Sequence, residues 1–423
     1  MLRGLSLLIV ILSLTLAACS PAATPTPTVP SPTAAPTVTA TVAPTSTPAP
    51  AAPEHNLTEG CVPEGQYDPS IDYFPEKVTL THAENLTVEY HNHYKVVTIA
   101  IPWPGAAESL TYVLVQCGTP RPEGFREEQI IDVPIDSLIT MSTTYLPFLD
   151  AFGVLDRLVG LDDATFVHNP TVLQMAAEGK LATIGYGAGV NVEQVLELAP
   201  DIVMTYGSGM LEYDAHPVLL QAGQKVVINA EWLDTTPLGR AEWGKFIALF
   251  FNEEVEAEAL FNQTLKRYEE LKALTANISG RPTVFSGLPY QGTWYVPGGR
   301  SFAATFFRDA GAEYLWSDDD STGSVPLSFE AVFERAREAD FWLNLGFVST
   351  LEAMKESDVR YADFKAFQTG NVWNYDARMS PNGGNDYFES AVAYPEVVLA
   401  DLIKIFHPDL LPDHELVYYR QVK

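Results

Sequence analysis

Short apolar runs separated by polar or Pro/Gly turns fill residues 78–115, and their alternation predicts strands at 79–81, 86–90, 96–101 and 110–115. Beyond Pro134 the texture changes to short apolar runs alternating with helical patterns, which is how βα units around a sheet read. Two segments repeat each other: 191–204 and 328–343 each combine a capped helix with a buried strand. Asn191 and Ser328 are good N-caps, and Glu193 and Glu330 fall in the first helical turn, where a carboxylate favours the helix dipole. One such unit in each half predicts two similar lobes. Between them, Asn252 is placed to cap a helix whose first turn holds Glu253 and Glu254. Ala257, Phe261, Leu265, Tyr268, Leu271 and Leu274 then recur every three or four residues up to Gly280. About 24 residues at 1.5 Å each make a rod of roughly 36 Å, long enough to run from lobe to lobe.

The start of the chain reads differently. Arg3 precedes an apolar run that is shorter than the ~20 residues a bilayer core needs, so it reads as a secretory signal and not a spanning helix. It closes on Leu16-Ala-Ala-Cys19, which resembles the bacterial lipobox and implies cleavage before Cys19, lipidation of that residue, and anchoring to a membrane. Residues 20–53 are made only of Pro, Thr, Ala, Ser and Val, and such a segment runs as a semi-rigid tether with no core of its own. Cys61 and Cys117 remain as an even pair in an oxidising compartment, which favours a disulfide. The expected organisation is a signal peptide at 1–18, lipidated Cys19 and tether at 19–53, and a β-rich element at 54–130. A first lobe follows at 131–238, then connector helices at 239–279 and a second lobe at 280–423.

Charge narrows the partners. Lys+Arg 25 against Asp+Glu 54 gives −29, which repels nucleic acid, while 47% hydrophobic residues leave ample material for a core. No Gly-x-Ser-x-Gly elbow, His-Glu-x-x-His, phosphate loop or Cys-x-x-Cys is present, so no catalytic residue is assigned and an enzyme is not expected. For a bare-metal site, His91 and His93 are the one pair on a single strand face. They stand near a predicted hairpin turn, so no metal ligand is assigned.

From residue 130 to about 410 the chain resembles the helical-backbone (class III, iron-siderophore and cobalamin type) substrate-binding lipoproteins of ABC transporters. The pieces come in that family's order: MSTTYLPFLDAFG at 141–153 with LVG at 158–160, IG at 184–185, NVE at 191–193, APDIVM at 199–204, the connector helix, YVPGG at 295–299, FFRDAG at 306–311, LSFE at 327–330, and PEVVLADL at 395–402 before FHP at 406–408. The resemblance implies an α/β fold of two Rossmann-like lobes joined by a long connector helix, with the β-rich segment as an addition. It implies ligand contacts in the inter-lobe cleft. On the first lobe the matching positions are Thr143, Thr144, Tyr145, Tyr186, Tyr206, Ser208 and Trp232; on the second they are Trp294, Tyr295, Arg300, Asn344, Arg378, Asn385 and Tyr387. Tyr and Trp suit a large flat chelate, and Arg300 and Arg378 suit its carboxylate or phosphate oxygens. Glu193 and Glu330 match the positions that dock on permease arginines.

The function expected is therefore capture of an iron chelate of the ferric siderophore type by a monomeric, extracytoplasmic, lipid-anchored receptor. It would pass the chelate to an ABC permease and its ATPase, with no resident cofactor. Cobalamin or haem is the alternative cargo, followed by bare zinc or manganese, or a surface adhesion role.

Overall fold

The computed structural model describes residues 52–423; the signal segment, Cys19 and the tether up to residue 51 lie outside the described residues. The first structured element is a four-stranded sheet of β1 (Leu86–Tyr90), β2 (Tyr94–Ile99), β3 (Leu110–Gln116) and β4 (Ile130–Val133), antiparallel except where β4 runs parallel to β3. Cys61 and Cys117 are joined by a disulfide that ties the leading segment to the end of β3. The stretch 79–81, expected as a strand, is not one. The carboxylate of Glu242 takes the backbone N–H groups of Thr81, His82 and Ala83, and Glu258 takes that of Thr79, so no ladder can use them.

The first lobe is a parallel sheet in the order β7-β6-β5-β8-β9, from β5 (Leu138–Thr140), β6 (Leu158–Leu161), β7 (Ala182–Thr183), β8 (Ile202–Thr205) and β9 (Val226–Ile228). Its helices are α1 (Leu146–Ala151), α2 (Pro170–Ala177), α3 (Val192–Leu198) and α4 (His216–Gln221). Strand order reverses between β5 and β8, and ligands of open α/β sheets bind outside the carboxyl ends at such a point. One apolar core runs through this lobe and the four-stranded sheet, since Val97, Ile99 and Leu114 pack with Leu138, Phe148 and Met204.

Short helices α5 (Pro237–Glu242) and α6 (Gly244–Ala248) lead into α7 (Glu254–Thr275), whose 22 residues span about 33 Å. Its buried stripe is Ala257, Phe261, Thr264, Tyr268, Leu271 and Thr275; Leu274 is exposed, and Thr275 takes its place by donating to the Asp309 carbonyl at 2.6 Å. Asn252 does not cap this helix. It adopts a left-handed backbone (φ 60°), and its side chain accepts from Lys95 and donates to Gln116.

The second lobe has β10 (Thr283–Ser286), β11 (Pro289–Tyr290), β12 (Thr293–Pro297), β13 (Glu313–Tyr314), β14 (Ser324–Leu327), β15 (Phe341–Leu343), β16 (Val372–Asn374) and β17 (Arg420–Gln421). Its main sheet is ordered β13-β10-β15-β16-β17, parallel but for β17, and β11-β12-β14 form a small antiparallel sheet. Around them lie α8 (Phe302–Asp309), α9 (Phe329–Ala336), α10 (Leu351–Ser357), α11 (Lys365–Thr369) and α12 (Pro395–Phe406). The repeated helix-strand units are α3 with β8 and α9 with β15, one in each lobe, capped by the side chains of Asn191 and Ser328. The fold is thus two Rossmann-like α/β lobes joined by a long helix.

Candidate ligand-binding cleft

A cavity of about 290 Å³ lies at the seam, lined by loops and helices of both lobes. The first lobe supplies Thr144 after β5 and Glu231 and Trp232 after β9. Arg240 comes from α5, Phe302 and Phe306 from α8, and Tyr387 and Phe388 from the loop before α12. That loop also crosses to the first lobe, where the Phe388 carbonyl accepts from Thr143 Oγ1 at 3.3 Å.

Of the polar groups, Glu231 is almost fully buried; Thr144 Oγ1 donates to its Oε1 at 3.0 Å, while Oε2 has no partner. Burial pushes its carboxyl up, and nearby Arg240 opposes the shift. Trp232 Nε1 is also buried without an acceptor. Arg240 lies 3.7 Å over the Phe302 ring and donates from Nε to the Asp234 carbonyl and from Nη2 to the Trp232 carbonyl. Unsatisfied buried polar atoms are rare in native proteins and call for a guest or bound water. Both belong to adjacent residues of a lining that is otherwise mostly aromatic and aliphatic.

Of the residues expected at the cleft, Thr144, Trp232 and Tyr387 line this cavity, and Thr143 touches its closing loop. Tyr145 lies beneath, 1% exposed with an unpartnered hydroxyl. Tyr206 is half-buried beside Asp162 and Asp214, and Ser208 is tied to Asp214 within its own loop. Tyr186 and Tyr295 face solvent. Trp294 is not a cleft residue: it is wholly buried in the aromatic core of the second lobe, 5.7 Å from Trp342, with Nε1 donating to the Ser286 carbonyl at 3.0 Å. Arg300 is bound to Asp320 on the surface, and Arg378 pairs with Asp386 at 2.9 Å, so neither guanidinium enters the cavity. Asn344 holds a left-handed turn (φ 62°) and accepts from the Tyr419 hydroxyl, and Asn385 caps the turn that presents Tyr387. Sequence reasoning assigned no role to Arg240 or Phe302. The phenylalanines were signalled by their spacing on an amphipathic helix after Gly298 and Gly299, which a core helix shares, and Phe306 also by its place in the family-like piece 306–311, which assigned it no ligand contact.

A second inter-lobe cluster lies nearby. Glu389 accepts the backbone N–H groups of His168 and Asn169, both at 2.7 Å, and Asp386 sits between His168 and Arg378. The ligand atoms of His168, Asp386 and Glu389 lie within 4.8 Å of one another, but Arg378 and the two N–H groups already occupy the carboxylates. His91 and His93 are engaged on the β1–β2 turn, His91 stacked on Tyr94 and His93 against the Tyr67 hydroxyl.

Burial pushes Glu389 and Glu396 up to about 7 and Asp162 and Asp234 up to about 6. Each therefore holds its proton more tightly folded than unfolded, so its stabilisation is complete below the unfolded value and is lost as pH rises through 6 to 7. Glu242 is buried and Asp340 partly so, yet hydrogen bonds hold them low, and they reverse the trend only in stronger acid; burial lowers His93 and His216, which oppose it in part below about pH 7. Tm is expected to rise by a few degrees from about pH 8 to about pH 5 at constant ionic strength, and Glu396→Gln to remove part of that slope. Calorimetry showing a steady fall over this interval would contradict the assignment.

The model of the family described as "Periplasmic binding protein" matches residues 138–379, from β5 through the second lobe to Met379. The chain belongs to the periplasmic binding protein family. This periplasmic binding protein is 27% identical over 293 residues to an uncharacterized lipoprotein of Methanocaldococcus jannaschii, covering 66% of this chain and 67% of the relative. A second uncharacterized lipoprotein of that organism is 28% identical over 325 residues, covering 74% and 80%. Among solved structures, a possible iron-binding periplasmic solute-binding protein of Staphylococcus epidermidis aligns with TM-score 0.51 at 15% identity, over 65% of this chain and 99% of that one. A periplasmic heme binding protein of Pseudomonas aeruginosa aligns with TM-score 0.50 at 21% identity, over 68% and 98%. At these identities the likeness is one of fold. The β1–β4 sheet precedes the matched region and shares an apolar core with the first lobe. The family binds solutes outside the cytoplasm, and among the described residues no helix is long and apolar enough to cross a membrane.

Proposed function

We propose that this periplasmic binding protein captures an iron chelate of the ferric siderophore type between its lobes and delivers it to the permease of an ABC importer. The observation that carries the reading is the aromatic cavity at the seam, built jointly by both lobes and the connector region, with two unpartnered polar atoms in its wall. Rigid aromatic faces with a few placed polar groups suit a flat chelate. At about 290 Å³ the cavity takes the part of the ligand that enters deepest. Haem wants an axial His or Tyr, and the one such side chain in the wall, Tyr387, is stacked on Tyr375 at 4.6 Å, which favours the iron chelate over haem. A lipid anchor at Cys19 and docking through Glu193 and Glu330 belong to the same reading.

Titrating the purified protein with ferric siderophores, haem, cobalamin and bare Zn²⁺ or Mn²⁺ tests it, with Trp232 fluorescence as the signal. Saturable quenching by a ferric chelate, lost in Trp232→Phe, is the expected result. Saturation only by haem or cobalamin would move the protein to that cargo, and saturation only by bare metal would overturn the reading.

A further inference from the structure

Resting on the reading that ligand enters this cavity, we propose that its innermost subsite accepts a flat ring edged by a neutral group that both donates and accepts hydrogen bonds, of the phenol, hydroxamate or amide kind, and rejects carboxylates. Glu231 Oε2 is an acceptor and Trp232 Nε1 a donor; they belong to adjacent residues of the same wall, both are buried, and neither has a partner. A hydroxyl or an amide carries both the donor and the acceptor that these two lack. Phe302, Phe306 and Phe388 in the same lining offer apolar ring faces, and its other polar side chains are Thr144, Arg240 and Tyr387, of which Thr144 is already bonded to Glu231.

Charge decides against an anion. Arg240 is the only cation in the lining, and its guanidinium is already held by two backbone carbonyls and by Phe302, beside the carboxylates of Glu231 and Asp234. A carboxylate entering here shares a water-poor site with the Glu231 carboxyl, so that either two like charges repel or one of the pair must take up a proton. An ammonium group would meet Arg240 and leave the Trp232 N–H without an acceptor. Arg300 and Arg378, the residues suited to a carboxylate clamp, are bound elsewhere to Asp320 and Asp386.

Benzamide, benzoate and benzylamine share one ring and differ in the charge of one substituent, so ligand-observed NMR on the full-length protein isolates the preference. Benzamide is expected to bind at least ~10-fold tighter than benzoate or benzylamine, the scale of an unanswered buried hydrogen bond or charge. Glu231→Gln keeps the bond from Thr144 and adds a donor, and should bring benzoate to within about threefold of benzamide. Trp232→Phe keeps an aromatic wall without the N–H and should weaken benzamide about fivefold. Benzoate or benzylamine binding as tightly as benzamide in the wild type, or no fragment binding at all, would overturn the proposal. A ferric chelate that saturates the protein without displacing benzamide sinks this inference and leaves the chelate reading standing. Benzamide selectivity in a protein that binds no chelate supports the subsite and sinks that reading.

Discussion

Glu254→Ala is expected to cost about 3–5 kcal/mol of stability, because it leaves Lys95 charged and unpaired in the interior. Both side chains are fully buried, with Lys95 Nζ 2.7 Å from Glu254 Oε1. The ammonium also donates to the Leu249 carbonyl and to Asn252 Oδ1, and it lies 4.5 Å over the Phe74 ring. Glu254 Oε2 accepts from Asn56 Nδ2 at 2.8 Å. One pair of charges thus joins the leading segment, β2 of the four-stranded sheet and the first turn of the connector helix. Burial pulls the Lys95 pKa down and the glutamate holds it up, so removing the glutamate leaves burial unopposed and the lysine either discharges or opens the core. Urea unfolding would read the loss. The double change Lys95→Met with Glu254→Leu should recover part of it, since a buried ion pair is worth little over an apolar pair of the same volume. A Glu254→Ala loss below about 1 kcal/mol would mean that water reaches Lys95 and that the sheet is not locked to the helix.

Loss of ligand uptake with unchanged ligand affinity is the second expected result, in the double variant Glu193→Ala with Glu330→Ala. Both glutamates are exposed in the first turns of α3 and α9, the equivalent helices of the two lobes. Their contribution to the helices is only about 0.3–1 kcal/mol each, so the fold should survive. Glu330 meets Arg360 at 3.3 Å, but Arg360 is held more closely by Asp358 at 2.6 Å, so the glutamate is only loosely engaged within its own chain, as the proposed docking requires. Neither residue lines the cavity, so affinity for the ligand should not move. Uptake of labelled ligand by cells carrying the variant, beside titration of the purified protein, separates the two. Normal uptake would remove the docking role, and weakened binding would place the glutamates in the ligand's path.

How much of this was legible beforehand follows the range of the interactions. Asn191 and Ser328 cap their helices through bonds to residues three positions on, and a cap needs no knowledge of the rest of the chain. The connector stripe was readable for the same reason, although Thr264 and Thr275 took buried places that an apolar count would not assign. Aromatic residues misled. Trp294 and Trp232 look equally suited to a ligand in one dimension, yet one completes the second lobe's core and the other lines the cleft. Arginines misled as well, because the acids that claim Arg300 and Arg378 stand in loops whose folding brings them near.

By itself, the sequence determined the two-lobe α/β architecture with its long connector, because periodicity, caps and turn residues act over a few positions and recur in both halves. Only the tertiary structure decided that the stretch at 79–81 forgoes a ladder for the carboxylates of Glu242 and Glu258, and that Glu231 and Arg240 share a cavity with Phe302 and Tyr387. Those partners lie tens to more than a hundred and fifty residues apart, and which of several chemically suitable groups reaches a site is settled by packing, to which spacing along the chain carries no clue.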